Sequence, residues 1–123
     1  MVVEADQGID IALDSFPYAG TTTTCETLWM GVPVISLVGE SSVTRSGYAL
    51  LRNIGLAELA ARDAEEYAAL AVALARDIDR LDVLRAGMRA RMVASPLCDE
   101  SGMTRDLEAA YRQMWREWCR ING

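Results

Sequence analysis

The sequence predicts an α/β fold, with a short parallel sheet of two or three strands followed by several helices. Three observations carry this. The run VPVISLV at 32–38 is apolar, rich in β-branched residues and too short for a typical helix, the pattern of a strand covered on both faces. Upstream, IDIAL at 9–13 gives a second apolar run, and a turn and a short helical segment separate the two. Strand, turn, helix and strand within residues 9–38 make a βαβ unit. From residue 63 onward the apolar residues keep helical spacing to the end of the chain.

The elements follow in order. IDIAL ends at Asp14, and Phe16-Pro17-Tyr18-Ala19-Gly20 is a loop. A helix starts within the threonine run Thr21–Thr24, buries Cys25, Leu28 and Trp29, and stops at Gly31. After the 32–38 strand, GESSVTRSG leads into a helix from about Thr44 to Asn53 that Gly55 closes, and GLAEL holds a brief third strand. Asp63, with Glu66 three residues later, forms a capping box for a helix carrying Tyr67, Leu70, Ala71, Leu74 and Ile78. Another helix puts Leu81, Leu84, Met88 and Met92 on one face and ends near Ser95-Pro96. The last, from about Ser101 to Cys119, carries a stripe of Met103, Leu107, Tyr111, Met114 and Trp118. No internal repeat or Pro/Gly/Ser linker marks a second domain, so residues 1–123 read as one partial domain. Two or three strands for so many helices is lopsided for a doubly wound sheet. Strands are expected to be missing, and Met1 is not expected to be the natural start of the fold.

Composition narrows the function. A hydrophobic fraction of 51% over 123 residues suits one folded domain. A net charge of −6 argues against a nucleic-acid partner, since phosphate backbones attract basic surfaces. No apolar run approaches the roughly 18–20 residues of a membrane span, and the first residues lack a signal peptide's basic flank and apolar core. The expected location is the cytoplasm. All 12 basic residues are arginine and there is no histidine, which removes a lysine nucleophile and the commonest general base. Cys25, Cys98 and Cys119 have no CxxC spacing and are expected to be small core fillers, with no metal site.

The stretch that carries chemistry is AGTTTTCE at 19–26, between a strand and a helix. Ligands of open α/β sheets sit at the carboxyl ends of strands, and a helix N-terminus offers unpaired N–H groups and the positive end of the helix dipole. Gly20 permits close backbone approach, the hydroxyls of Thr21, Thr22 and Thr23 can donate to diphosphate oxygens, and Glu26 can accept from ribose hydroxyls. A plainer alternative stays open, in which the threonines cap the helix and Glu26 faces solvent. Arg45 is expected at the solvated surface and Trp29 in the core. Asp10 and Asp14 are expected to cap turns rather than to pair on a metal.

Residues 10–67, from DIALD through the threonine loop and LWMGVPVISLVGE, resemble the C-terminal donor-binding region of the O-linked N-acetylglucosamine transferases, the SPINDLY/OGT-like glycosyltransferases. So do SPLCD and LEAAYRQMWREW near the end, which makes the resemblance colinear over almost the whole chain. It implies the C-terminal part of a GT-B Rossmann-like domain, UDP-N-acetylglucosamine or a similar sugar nucleotide as donor substrate, and no cofactor or bound metal. It places Gly20, Thr21, Thr22 and Thr23 on the diphosphate and Glu26 on the ribose. In the animal enzymes a histidine stands in the place of Thr21 and an aspartate in that of Glu26, so the imidazolium charge is lost here while the carboxylate is kept. The family's uracil-contacting segment, phosphate-contacting lysine, catalytic N-terminal domain and tetratricopeptide repeats have no counterpart in this chain. The resemblance therefore implies no catalytic residue here and a partner in the missing N-terminal half or repeat domain.

Two further readings remain beside an inactive C-terminal portion of a protein glycosyltransferase. One is a free-standing nucleotide-binding module that self-associates through exposed strand edges. The other is a helical interaction module using the Trp/Met-rich tail.

Overall fold

The computed structural model describes residues 8–122. Three parallel strands, β1 (Ala12–Leu13), β2 (Val34–Leu37) and β3 (Ala60–Ala61), pair in the order β1-β2-β3. Ala12 lies opposite Val34 and Ser36 opposite Ala60. Helix α1 (Thr22–Trp29) joins β1 to β2, and α2 (Ser46–Asn53) with a 3-10 turn (Ala57–Leu59) joins β2 to β3. Then come α3 (Ala64–Arg76), α4 (Ile78–Val93), a second 3-10 turn (Pro96–Cys98) and α5 (Glu100–Asn122).

Val34, Ile35 and Ser36 are all buried, so both faces of β2 are covered, as the unbroken apolar run predicts. Leu28, Leu51, Leu56, Leu59, Leu74 and Met88 complete the core around it. The edge strand β1 is shorter than the predicted 9–13 and leaves Leu13 exposed, since only Ala12 and Leu13 reach ladder register with β2. The third strand, predicted within residues 55–59, falls instead at Ala60–Ala61, because Ala57–Leu59 coil into the 3-10 turn.

Gly31 takes φ +85° just past α1, where the amides of Gly31 and Val32 return to the carbonyls of Leu28 and Thr27. An L side chain is strained in that conformation, which is why the helix stops there. At the start of α3, Asp63 accepts the Glu66 N–H at 2.8 Å, the first half of the predicted capping box. The second half differs, because the Glu66 carboxylate turns to the backbone N–H of Arg62 at 2.7 Å and to its guanidinium.

Helix α4 holds the connections in place from outside. Arg85 donates to the carbonyl of Ile9 at 2.8 Å, Arg89 to that of Trp29 at 3.2 Å, and Arg91 to that of Ile54 at 3.2 Å. Each guanidinium satisfies a carbonyl that no ladder or helix reaches.

Two expectations need correction. Trp29 is not core: Leu28 points inward, and the roughly 100° step per residue of a helix turns Trp29 toward solvent, where Arg89 stacks 5.1 Å from its ring centroid. Nor are the cysteines core fillers, since Cys25 is half-buried and Cys98 and Cys119 are exposed. The final stripe has the predicted helical spacing, yet Met103, Leu107, Tyr111, Met114 and Trp118 are all exposed. The principal contact of α5 is with the Pro96–Cys98 turn, and among the described residues little covers its apolar face.

Candidate functional site

The site is organised around Asp14, the first residue past the carboxyl end of β1 and itself buried. Its Oδ1 accepts the Gly20 N–H at 2.8 Å, its Oδ2 accepts the Ser36 hydroxyl at 2.7 Å, and its carbonyl accepts the Tyr67 hydroxyl at 2.7 Å. One residue thereby joins the threonine loop, the central strand and α3. The packing around it is tight enough to require glycine twice. A Cβ on Gly47 would collide with Ser36 Oγ and Asp14 Oδ2, and one on Gly20 would lie 2.6 Å from Thr24 Oγ1 and 2.9 Å from Thr23 Oγ1.

Beyond this anchor, α1 begins. Thr21 is its N-cap residue but makes no side-chain capping bond, and the first helical bond runs from the Cys25 N–H to the Thr21 carbonyl at 2.9 Å. The N–H groups of Thr22, Thr23 and Thr24 therefore have no acceptor within the helix. Thr21, Thr22 and Thr23 are exposed, Thr24 is buried, and the first turn carries no acidic residue. The result is an open, positively polarised helix end lined by hydroxyls. Ser46, at the start of α2, steadies the loop from the other side by donating to the Gly20 carbonyl at 3.3 Å.

The predicted residues divide between neighbouring hollows. Gly20 and Thr23 line one of about 200 Å³ with Asp14 and Thr27. Thr21 lines another of about 220 Å³ with Tyr18, Ser42 and Ser46. Glu26 follows Thr22 by four residues and so lies on the same flank of α1, half-buried. It lines a third hollow, of about 550 Å³, with Trp29, Met30 and Met92. Gly20 and Thr23 thus face one hollow and Thr21 another, Thr22 is exposed, and Glu26 stands one helical turn on. The Gly20 amide is engaged by Asp14, so what Gly20 offers a ligand is the absence of a side chain.

The two aspartates diverge: Asp10 is exposed and pairs with Arg85 at 3.7 Å, while Asp14 faces inward. Arg45 is exposed as expected and lies 5.7 Å from the Tyr48 ring centroid. Tyr67, beside Asp14, has its phenol pushed above the usual range, first by burial and then by the Asp14 carboxylate. Sequence reasoning placed Asp14 at a turn and passed over Ser36, Gly47 and Tyr67. The signal was the lone serine in VPVISLV, a polar residue in a strand buried on both faces that must find a partner.

The probable UDP-N-acetylglucosamine–peptide N-acetylglucosaminyltransferase SPINDLY of Petunia hybrida is 50% identical over 111 residues, 90% of this chain and 12% of that protein. The UDP-N-acetylglucosamine–peptide N-acetylglucosaminyltransferase of Caenorhabditis elegans is 33% identical over 116 residues, 94% of this chain and 10% of that one. Among solved structures, a mutant of the Thermobaculum terrenum O-GlcNAc transferase superposes with a TM-score of 0.91 at 42% identity, covering 99% of this chain and 24% of that chain. The present chain thus spans only about an eighth of the length of the curated relatives it matches. Its α/β architecture is that of the C-terminal part of a GT-B Rossmann-like domain. The profile of glycosyl transferase family 41 matches residues 2–107, and the chain belongs to that family.

Proposed function

We propose that this chain supplies the diphosphate- and ribose-binding part of the donor site of a UDP-N-acetylglucosamine-dependent protein O-glycosyltransferase, and that it transfers no sugar by itself. The observation that carries the reading is the open N-terminus of α1, with three exposed threonines at the carboxyl edge of a parallel sheet and a loop fixed by Asp14. The free N–H groups of the first turn and the hydroxyls of Thr21, Thr22 and Thr23 donate to the diphosphate oxygens. Gly20 lets those oxygens approach the backbone. Glu26, on the flank of Thr22, accepts from the ribose hydroxyls; its negative charge suits a neutral hydroxyl and would repel a phosphate. Because Asp14 holds the loop before any ligand arrives, little ordering cost is left for binding.

None of these groups moves a proton in the transfer, and the chain has neither lysine nor histidine to do so. Acceptor binding and proton transfer belong to polypeptide outside this chain, a catalytic N-terminal half with its repeat domain, acting in the cytoplasm. Family membership and the likeness to O-GlcNAc transferases support this assignment.

The test is a paired calorimetric titration of wild type and Thr22→Ala/Thr23→Ala with UDP and with uridine, both proteins folded by circular dichroism. Loss of the two hydroxyls weakens UDP by about 1 to 3 kcal/mol, the scale of hydrogen bonds to a charged group, and leaves uridine nearly unchanged. Equal losses for both ligands, or none for UDP, would reduce the loop to a helix cap.

A second role rests on α5. Its exposed stripe, with Trp115 and Trp118 stacked at 5.4 Å between ring centroids, favours association with an N-terminal catalytic half or with a second copy.

A further inference from the structure

Two of the three thiols line the hollow that Glu26 also lines, and the donor-site reading gives neither thiol a role. Cys25 lies half-buried on α1, and the exposed Cys98 closes the Pro96–Cys98 turn. Far apart in sequence, both line the hollow of about 550 Å³, together with the apolar side chains of Trp29, Met30, Met92 and Leu97. Among the described residues no group of three or more His, Cys, Asp or Glu side chains is placed to hold a metal ion. The third thiol, Cys119, lies near the end of α5 and does not line the hollow.

The two sulfurs differ in environment. Burial raises the Cys25 thiol above its ordinary range, and the neighbouring Cys98 and Glu26 push it the same way. Cys25 is therefore held as the thiol, while Cys98 meets solvent and is the first to encounter an oxidant. Cys98 sits on a three-residue turn, so the adjustment required by the short span of a disulfide falls on that turn rather than on a helix.

We propose that Cys25 and Cys98 form a hydroperoxide-responsive dithiol that closes to a disulfide across this hollow. In the first step the Cys98 thiolate attacks one peroxide oxygen and the O–O bond breaks. Cys98 becomes a sulfenic acid, and the departing hydroxide takes a proton to leave as water. In the second step Cys25 loses its proton and its sulfur attacks Cys98. The S–O bond breaks, and the hydroxide released takes up that proton as a second water. Two thiols and one hydrogen peroxide thus give one disulfide and two waters, with the sulfurs oxidised and the peroxide oxygens reduced. The bond joins α1, one residue before Glu26, to the turn that leads into α5.

The experiment uses the full chain, reduced, freed of reductant, treated with stoichiometric hydrogen peroxide, alkylated and digested with trypsin. Cleavage after arginine places Cys25, Cys98 and Cys119 in three separate peptides, 1–45, 92–105 and 117–120. The expected product joins 1–45 to 92–105, two hydrogens lighter than the reduced pair, reversible by dithiothreitol and present in monomer on a non-reducing gel. It persists in Cys119→Ser and disappears in Cys25→Ser and in Cys98→Ser, with far-UV circular dichroism confirming that each variant is folded. Any of four results would overturn the proposal: both thiols still open to alkylation, Cys98 driven to sulfinic acid without a link, a Cys98–Cys119 link, or linkage only between two copies. The outcome is independent of whether the chain binds UDP.

Discussion

Replacing Asp14 tests whether the donor loop is held from within. Asp14→Ala removes the acceptor for the Gly20 N–H and for the Ser36 hydroxyl, both bonded to a buried carboxylate at 2.8 and 2.7 Å. A hydrogen bond to a charged group contributes about 1.5 to 3 kcal/mol, and a buried hydroxyl left without a partner costs a similar amount. The expected loss is about 3 to 5 kcal/mol, at the upper end of single substitutions. Asp14→Asn is the informative control. Its carbonyl oxygen still accepts from Gly20, and the Ser36 hydroxyl can rotate to accept from the new amide, so both bonds survive without charge assistance. Asparagine should therefore cost only about 1 to 2 kcal/mol. Urea denaturation followed at 222 nm measures both variants against wild type. A loss below about 1 kcal/mol for alanine, or an asparagine variant as unstable as the alanine one, would refute the account.

Three other outcomes follow from the described contacts. Tyr67→Phe removes the bond to the Asp14 carbonyl and should cost about 0.5 to 1.5 kcal/mol near neutral pH. The folded Tyr67 phenol titrates above its unfolded value, so its contribution is fully present below about pH 10 and is lost as the pH rises through the raised value; urea midpoints between pH 8 and 11 should fall less steeply for the phenylalanine variant. Asp63→Ala removes the N-cap acceptor of α3 and should lower stability by about 1 kcal/mol in the same assay. Light scattering should show the chain as a dimer or larger species at high micromolar concentration, and Trp115→Glu with Trp118→Glu should shift it toward monomer; a clean wild-type monomer would show that α5 drives no self-association.

What the sequence could reveal depended on how local the cause was. The burial of β2 on both faces was readable because a run of apolar residues in a strand has no polar face to show solvent. The Asp63 cap and the start of α1 within the threonines were readable because a cap and its amide are separated by a few residues. Trp29 was misplaced by a single helical step, since spacing gives the period of a stripe more firmly than its phase. The bond of Asp14 to Ser36 joins neighbouring strands, and pairing register does not appear in either segment alone. The stripe on α5 was legible as a stripe, but its exposure depends on what else is present to cover it.

The three arginines of α4 also bear on the order in which this chain is completed. The carbonyls they satisfy belong to segments around residues 9, 29 and 54, all of which leave a ribosome well before Arg85, Arg89 and Arg91 do. Translation proceeds at about 5 to 20 residues per second, so those connections wait some seconds for their donors. Nascent chains arrested before α4 emerges should show the early segments open to protease, and release of α4 should close all three together.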